Sequence, residues 1–349
     1  MRTAPLLQRG SALIIAMLIA ALVAAISVRF AEAFLLQLNV ADHRQQAQWQ
    51  KVYVQGAEAL AVQLLASDAQ SSQQDHLQES WAQQVAPFPT DHGWVQPRLQ
   101  DAQARFNLNN LVIKSAYQDD LGAPLTVRLS PPQKQFVRLL QTLGDDPISE
   151  ADAVMMTEAL VDWIDADDHL SGPGGAESLF YSADNPPRQA ANQLLTDISE
   201  LILVRHFSPA LVERLRPLVT VLPVPTPLNL NTATLPLLRS INHADQLKPL
   251  ASSVAQNILG RRQTQAFSGV DAFFQQPSMV ALAADADISW KAGQVSLFSV
   301  DSQWFELESR VTVSGRSNSW RSLLHRPALE TPDAGTSTTP QVWARSRAY

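Results

Sequence analysis

The sequence predicts an α+β fold in which a long N-terminal helix packs on a small antiparallel sheet and a large all-helical insertion interrupts that sheet. Three observations predict this arrangement. An uncharged apolar run over residues 11–28 continues into a proline-free stretch that ends near Ala69. Residues 90–112 and 293–325 contain the alternation of apolar and polar side chains that is typical of strands. The chain between these two regions carries helix start signals.

The apolar run is long enough to cross a bilayer as a helix, because about 20 apolar residues span the hydrocarbon core. Arg2 and Arg9 precede it with no acidic residue, so the positive-inside preference places the N-terminus in the cytoplasm and the bulk of the chain outside it. The residues alone leave three outcomes open. The run is a secretory signal cleaved after Ala33, an uncleaved anchor, or an anchor that is processed between Gly10 and Ser11.

A helix is predicted to continue beyond the apolar run. Residues 31–69 contain no proline and a single glycine, and they are rich in Ala, Gln and Leu, which favour helix. Small or apolar residues recur there at steps of three or four. They predict the face that packs on the sheet, formed by Trp49, Tyr53, Gly56, Leu60 and Leu64.

The N-terminal pattern resembles type IV prepilins, in which a short leader ending in glycine is removed on the cytoplasmic side of an apolar helix. In this resemblance Gly10 is the last leader residue, and Ser11 is the first mature residue and carries an N-methyl group. Major pilins have a glutamate at the fifth mature position, where this chain has Ile15. In lacking that glutamate the chain resembles the minor pseudopilin K family of type II secretion systems, and the resemblance covers nearly the whole chain except the tail.

Two asparagine motifs are expected at the entries of the insertion. Residues 94–99 and 104–112 predict two strands around a turn, and the second contains Phe106-Asn107-Leu108-Asn109, a sequence characteristic of the K pseudopilins. A related sequence, Leu228-Asn229-Leu230-Asn231, follows a proline-dense extended stretch. Further strands are predicted over residues 293–300, 304–313 and 318–324.

The most chemically informative segment follows a helix predicted over residues 149–164. It contains four carboxylates within seven residues and a fifth beyond a glycine-rich loop: Asp162, Asp165, Asp167, Asp168 and Glu177. Clustered carboxylates repel one another unless a cation lies among them, and hard oxygen ligands suit Ca²⁺ better than a transition metal. The spacing is not that of an EF-hand, and a solvated acidic loop is the alternative.

The resemblance to the K family extends to this acidic segment. Three parts of this chain are similar to the calcium-binding helical domain of that family: Asp-Trp-Ile-Asp-x-Asp over residues 162–167, the later Gly-Ala-Glu and Tyr181. The resemblance therefore implies calcium as a cofactor held by these five carboxylates.

The second half of the insertion resembles the helix-hairpin-helix domains of DNA-uptake proteins, which bind phosphate through the backbone amides of a Gly-x-Gly hairpin. The corresponding residues 239–247 contain no glycine, and the chain carries a net charge of −7. We therefore expect the scaffold to serve packing and no nucleic acid to be bound. The insertion as a whole is expected to form two sub-domains similar to SAM or helix-hairpin-helix domains.

Composition and motifs disfavour several classes of function. The chain has no cysteine, which excludes disulfides, thiol catalysis and cysteine zinc sites. It contains no Gly-x-Ser-x-Gly, Walker or His-Glu-x-x-His motif. We therefore expect the chain not to be an enzyme, although the residues alone leave open a hydrolase built on Asp165 and Glu177.

The predicted parts of the chain are a leader (1–10), the N-terminal helix (11–66, transmembrane over 11–28), a pilin-like sheet region (67–112 and 286–326), a first helical sub-domain with the acidic loop (113–220), a second helical sub-domain (221–285) and a mobile tail (327–349).

The resemblance implies a structural role at the tip of the type II secretion pseudopilus, where the subunit caps and initiates the filament for protein export across the outer membrane. It implies contacts with minor pseudopilins I and J, indirect contacts with pseudopilin H and the major pseudopilin G, and processing by the prepilin peptidase. It also implies a single-pass position in the inner membrane, with the bulk of the chain in the periplasm. The alternative is a membrane-anchored periplasmic module that binds calcium or DNA.

Overall fold

The computed structural model of the chain describes residues 9–118, 120–144, 147–283, 295–327 and 339–348. Its helices are α1 (Arg9–Ser71), α2 (Leu125–Arg128), α3 (Pro131–Leu140), α4 (Glu150–Ile164), α5 (Ser178–Tyr181), α6 (Pro209–Leu215), α7 (Leu235–Arg239), α8 (Ser252–Thr264), α9 (Val270–Phe274) and α10 (Pro277–Ala283). Its strands are β1 (Phe88–Thr90), β2 (Gly93–Asp101), β3 (Phe106–Asn107), β4 (Val219–Thr220), β5 (Leu228–Asn229), β6 (Phe298–Ser299), β7 (Trp304–Val313), β8 (Arg316–His325) and β9 (Gln341–Ala348). These elements confirm the predicted α+β fold of a long helix, an antiparallel sheet and a helical insertion.

Helix α1 is 63 residues long and has two different halves. Every side chain over residues 11–45 is exposed, whereas the following turns are covered by the sheet. Within the described chain, α1 is the one helix that is long and apolar enough to cross a membrane, and none of its most apolar window is buried. Its length and composition fit the predicted anchor. Residues 1–8 of the predicted leader lie outside the described residues.

The second half of α1 packs on the sheet through Val54, Ala57, Ala61 and Leu65. The predicted contact face is wrong for Gly56 and Leu60, which are exposed. Both faces carry apolar residues at steps of three or four, so the repeat alone does not tell two adjacent stripes of the helix apart. The stripe with two alanines faces the sheet because small side chains allow closer packing of the helix on the strands.

The sheet has the strand order β1-β2-β7-β8-β9, and all neighbours are antiparallel. Alternate residues of β7, including Phe305, Leu307 and Val311, are buried against α1. Strand β2 is paired so that Val95 lies opposite Val311 and Leu99 lies opposite Leu307. The period-two pattern predicted for residues 304–313 is therefore confirmed. The insertion is the chain between β2 and β7.

The prediction of a mobile tail over residues 327–349 is wrong for Gln341–Ala348, which form β9 and pair with β8. Trp343 packs edge-on against Trp304, with ring centroids 5.4 Å apart. The composition that suggested mobility belongs mainly to residues 328–338, which lie outside the described residues. A local composition signal does not reveal that a later strand finds a partner in the sheet.

Each sub-domain of the insertion begins and ends at a short parallel strand pair. Strand β3 pairs with β4, and β5 pairs with β6. Parallel neighbours need a long crossover connection, and here the crossover is the sub-domain itself. It contains α2 to α6 in the first case and α7 to α10 in the second. The entry of each sub-domain therefore lies beside its exit.

The predicted strand over residues 104–112 is wrong beyond Asn107. Leu108–Val112 form a 3-10 helix, and Asn107 caps it by accepting from the Asn109 amide at 3.2 Å. The strand predicted over residues 293–300 is reduced, within the described residues, to the two residues of β6. In the first case strand pairing ends at Asn107 because asparagine side chains bind nearby backbone groups and so compete with it.

The last asparagine of each motif satisfies the backbone of a distant loop. Asn109 donates to the Leu195 carbonyl at 3.0 Å and accepts from the Leu195 amide at 2.9 Å. Asn231 makes the same pair of bonds with Phe267, at 3.1 and 2.8 Å. The two motifs therefore make equivalent contacts, since each holds a loop of its own sub-domain next to the entry strand.

The two sub-domains share one apolar core, which extends from Phe106 to Phe298. Arg138 of α3 joins them, because its buried guanidinium donates to the Ser240 carbonyl at 2.7 Å and to the Gln246 carbonyl at 3.0 Å. Burial lowers the pKa of Arg138 to about 9. The arginine thus binds the Ser240 carbonyl at the C-terminal end of α7, where positive charge is favourable, and a carbonyl of the loop that follows.

Candidate metal centre

Helix α4 leads into the acidic segment, and its sequence explains where it begins and ends. Ser149 caps the first turn by accepting from the Asp152 amide at 3.1 Å, and the Asp152 carboxylate complements the positive end of the helix dipole. Asp165 adopts an extended conformation with φ −79° and ψ 167° and ends the helix. The last turn contains no basic residue, so the acidic segment meets the negative end of the dipole without a cation from the helix itself.

The glycine-rich loop after the acidic segment returns across α4 at close range. A Cβ atom on Gly172 would lie 1.9 Å from Oε1 of Glu158, and one on Gly175 would lie 2.2 Å from Oδ2 of Asp162. Only glycine lets the backbone approach the helix so closely at these two positions. This packing brings Glu177 back to the end of α4.

Three of the five predicted ligands meet there. Side-chain oxygens of Asp165, Asp167 and Glu177 lie within 4.8 Å of one another. Asp165 is 1% exposed and Glu177 is 5% exposed, and neither oxygen of Glu177 has a hydrogen-bond partner. Burial and the surrounding carboxylates, led by Asp162, raise the pKa of Glu177 to about 8. Burial also raises the pKa of Asp165 to about 6.

Lys114 belongs to the same cluster, and sequence reasoning missed it. Its Nζ lies 2.5 Å from Oδ2 of Asp167 and 3.0 Å from Oδ2 of Asp165. The contact with Asp165 is an ion pair rather than a directed hydrogen bond. The hydrogen bond from Lys114 lowers the pKa of Asp167. No local pattern could have found this lysine, because it comes from the segment before α2.

The other two predicted ligands flank the cluster. Asp162 is fully buried; its Oδ1 accepts from the Ser171 amide at 2.8 Å, and its Oδ2 lacks a partner. Asp168 is exposed, and its Oδ1 lies 3.5 Å from Nδ2 of Asn192. The side-chain oxygen of Asn192 is buried without a partner. Asn192 is therefore a neighbour of the cluster, through its amide nitrogen, that sequence reasoning missed.

These donors fit a hard divalent cation. Calcium takes six to eight oxygen ligands from carboxylates, amide oxygens and water. The cluster offers three carboxylates, two of which contact one ammonium group. The unpaired oxygens of Glu177 carry this conclusion, because a buried carboxylate without a partner costs free energy that a bound cation would recover. Calcium at this site stays a prediction.

The predicted processing and assembly residues lie on α1, away from the acidic cluster. Gly10 and Ser11 are in its first turn and Ile15 is in the second. Ser11 is exposed, and Ile15 is 57% exposed. Cleavage between Gly10 and Ser11 and an assembly role for Ile15 stay predictions.

A second acidic group lies where α1 meets the sheet, and sequence reasoning missed it. Oxygens of Asp68, Asp75 and Glu79 lie within 4.8 Å of one another. Arg326, which follows β8, already supplies a cation there. Its Nη1 lies 3.0 Å from Oδ2 of Asp68, and its Nη2 pairs with Asp75. The Ser302 amide also donates to Asp75 at 2.6 Å. This group fastens the helix to the sheet, and we assign no metal to it.

Comparison with known proteins connects this fold to a family of secretion components. Residues 104–224 and residues 228–290 each match a family model described as type II secretion system (T2SS), protein K. The two matches begin just before β3 and at β5, so each covers one sub-domain with its entry motif.

Individual relatives are similar over most of the chain. Type II secretion system protein K of Pseudomonas aeruginosa is 33% identical, over 91% of this chain and 89% of its own length. Type II secretion system protein K of Klebsiella pneumoniae is 35% identical, over 91% of this chain and 93% of its own length. A chain in the crystal structure of the GspK-GspI-GspJ complex from enterotoxigenic Escherichia coli is 28% identical and superposes with a TM-score of 0.71. That similarity covers 88% of this chain and 99% of the other.

Proposed function

Because the chain belongs to the family of type II secretion system protein K, we propose that it is the minor pseudopilin at the tip of the secretion pseudopilus. The observation that carries this proposal is the likeness, in sequence and in fold, to a chain of the GspK-GspI-GspJ complex. The family is a structural component of a secretion system, so the proposed role is structural rather than catalytic.

The shape of the subunit supports a position at the tip. Residues 11–45 of α1 are exposed along their whole length and are available to neighbouring helices. The insertion between β2 and β7 is much larger than the sheet from which it emerges. A body of that size would clash inside a close-packed helical filament, whereas the tip leaves room for it.

We propose minor pseudopilins I and J as the direct partners, with H and the major pseudopilin G reached through them. The test is co-expression of the three periplasmic regions followed by size-exclusion chromatography with light scattering. A complex with one copy of each subunit is expected. A chain that elutes alone in the presence of both others would contradict the proposal and favour a membrane-anchored module that acts outside a filament.

We also propose that α1 anchors the chain in the inner membrane with the N-terminus in the cytoplasm, and that the prepilin peptidase cleaves after Gly10. The apolar, fully exposed start of α1 supports this. Intact-mass spectrometry of the protein from the membrane should show a chain that begins at Ser11 and carries one methyl group, and Gly10→Val should block both changes. A chain that begins at Phe34 or at Met1 would contradict it.

The residue at the fifth mature position fits the same placement. Ile15 has no carboxylate that could neutralise the amino terminus of a subunit ahead of it. A subunit at the front of the filament has no such neighbour, so it does not need the glutamate that major pilins have at this position. We therefore expect Ile15→Glu to leave an unpaired acid in the membrane and to lower secretion. Ile14→Glu places the same carboxylate one residue earlier in the apolar run and should lower secretion by a similar amount. If Ile15→Glu instead matches the unmodified chain, the carboxylate has found a partner ahead of it, and the tip position fails.

For the acidic cluster we propose a calcium site with Asp165, Asp167 and Glu177 as ligands and with Asp162 and Asp168 beside them. The test is a thermal melt with calcium and after chelation, together with elemental analysis. Calcium should raise the midpoint by about 5 °C at saturating concentration, and Glu177→Gln should remove most of the shift. Asp91→Asn, at an exposed position, is the matched control and should keep it. An unchanged midpoint in a chain that contains no metal would remove the proposal.

A further inference from the structure

We propose that Lys114 is a resident counter-ion of the acidic cluster, which calcium must displace, and that this lysine therefore sets the calcium affinity of the site. The inference rests on the calcium site proposed above and concerns its regulation. Its basis is the position of the ammonium group, which contacts Asp167 and Asp165 in the cluster itself.

Lys114 and a calcium ion would compete for the same two carboxylates, those of Asp165 and Asp167. The Nζ atom lies 2.5 and 3.0 Å from the Oδ2 atoms of Asp167 and Asp165, and calcium binds carboxylate oxygens at about 2.3–2.6 Å. A calcium ion on these oxygens would lie next to the ammonium group, where two positive charges repel strongly because the site is partly desolvated. Calcium can enter with full coordination only if the ammonium group leaves.

The ammonium group satisfies the cluster only in part. It reaches Asp165 and Asp167, but both oxygens of the buried Glu177 remain without a partner. One positive charge faces three carboxylates whose oxygens lie within 4.8 Å of one another. A divalent ion can bind all three carboxylates at once without any movement of the backbone. It therefore binds the cluster more favourably than the lysine does.

Lys114 is able to leave. Its side chain is 35% exposed, and a lysine has a flexible four-carbon stem that can carry the ammonium group into water. The next residue stays in place, because the Ser115 hydroxyl donates to the Val127 carbonyl at 2.7 Å. Exchange of lysine for calcium therefore requires a change of side-chain rotamer and leaves the fold around it intact.

The first experiment measures calcium affinity by isothermal titration of the chelator-treated full chain. Lys114→Met should bind calcium about tenfold more tightly than the unmodified chain, because the competing charge is gone. Lys114→Arg keeps the charge and should not bind more tightly. Lys51→Met removes the same charge from an exposed position on α1 and is the matched control. Equal calcium affinities for Lys114→Met and Lys51→Met would overturn the inference but would leave the proposed calcium site intact.

The second experiment uses the unmodified chain, so it does not depend on whether a variant folds. Lysine acylation followed by mass spectrometry reports whether the amine of Lys114 is held in an ion pair. Calcium should increase labelling of Lys114 several-fold and leave labelling of Lys51 unchanged. Calcium that binds without changing the labelling of Lys114 would overturn the inference. If no calcium binds to any variant, the proposed calcium site fails, and the inference falls with it.

Discussion

Asn229 donates a hydrogen bond from Nδ2 to Oδ2 of Asp101 at 3.0 Å, and both side chains are buried. Asp101 is the last residue of β2 and Asn229 lies in β5, so the bond joins the sheet to the second sub-domain. The same oxygen accepts from Thr232 Oγ1 at 2.5 Å and from Ser302 Oγ at 2.8 Å. One carboxylate oxygen therefore joins three parts of the chain that are far apart in sequence.

Asp101→Ala should lower the free energy of unfolding by about 2–4 kcal/mol, because it leaves several buried donors without an acceptor. Urea unfolding of the purified chain measures this. Asp91→Ala removes an exposed carboxylate next to the same sheet and should change stability by no more than about 0.5 kcal/mol. Similar effects of the two substitutions would show that the Asp101 bonds contribute little.

The two asparagine motifs make a reciprocal prediction. Asn109→Ala should speed hydrogen exchange of the Leu195 amide and leave the Phe267 amide protected, and Asn231→Ala should do the reverse. Each substitution should cost about 2–3 kcal/mol, because a buried backbone amide and carbonyl lose their partner. Hydrogen exchange read by mass spectrometry distinguishes the two loops. Uniform loss of protection across both sub-domains would contradict separate anchoring.

Arg138 should matter for the contact between the sub-domains. Arg138→Met removes the donors to the buried Ser240 carbonyl and to the partly buried Gln246 carbonyl, and it should cost about 2–4 kcal/mol in urea unfolding. Arg138→Lys should recover only part of this, since an ammonium group lacks the planar fork of the guanidinium. Arg216→Met, which breaks an exposed pair with Glu213, is the control and should cost less than about 1 kcal/mol. An equal cost for Arg138→Met and Arg216→Met would argue against this contact.

Stability should depend on pH through Asp75. Burial raises the pKa of Asp75 to about 7, so between about pH 4 and pH 7 the folded chain holds a proton that the unfolded chain has released. The free energy of unfolding therefore falls as the pH rises through this interval, by at most about 4 kcal/mol. Asp75→Asn should flatten the slope of unfolding free energy against pH.

The matched control for this measurement is Asp91→Asn, at an exposed position. The difference between their slopes reports the titration of Asp75 together with its influence on the neighbouring Asp68 and Asp101. If the slopes are the same, the buried network around Arg326 holds Asp75 ionised throughout, and the assigned direction is incorrect.

The elements that follow from local patterns could be predicted from the sequence. The N-terminal helix, predicted over residues 11–66, is observed as Arg9–Ser71, because an uncharged run without proline has few other ways to satisfy its backbone. Strand β7 follows from alternation alone. Strand β9 could not be predicted, since its existence depends on the free edge of β8. The same limit applies to the 3-10 helix Leu108–Val112, where asparagine side chains replace strand pairing.

The candidate site likewise contains residues that could be predicted from the sequence and residues that could not. Three of its carboxylates, Asp165, Asp167 and Glu177, could be predicted because a helix end and a glycine-rich loop bring them together within one short segment. Lys114 and Asn192 could not, because they come from segments on either side of it. Sequence spacing identifies ligands that lie close in the chain, whereas the fold adds the counter-ion Lys114 and the neighbouring amide of Asn192.

Immunogold electron microscopy of pseudopili formed by overexpressed major pseudopilin tests the tip assignment most directly. An antibody against the helical insertion, residues 106–299, should label one end of each filament and nowhere else. Deletion of minor pseudopilins I and J should remove that label. Labels distributed along the length of the filaments, or confined to the membrane with none on filaments, would contradict a subunit that caps the pseudopilus.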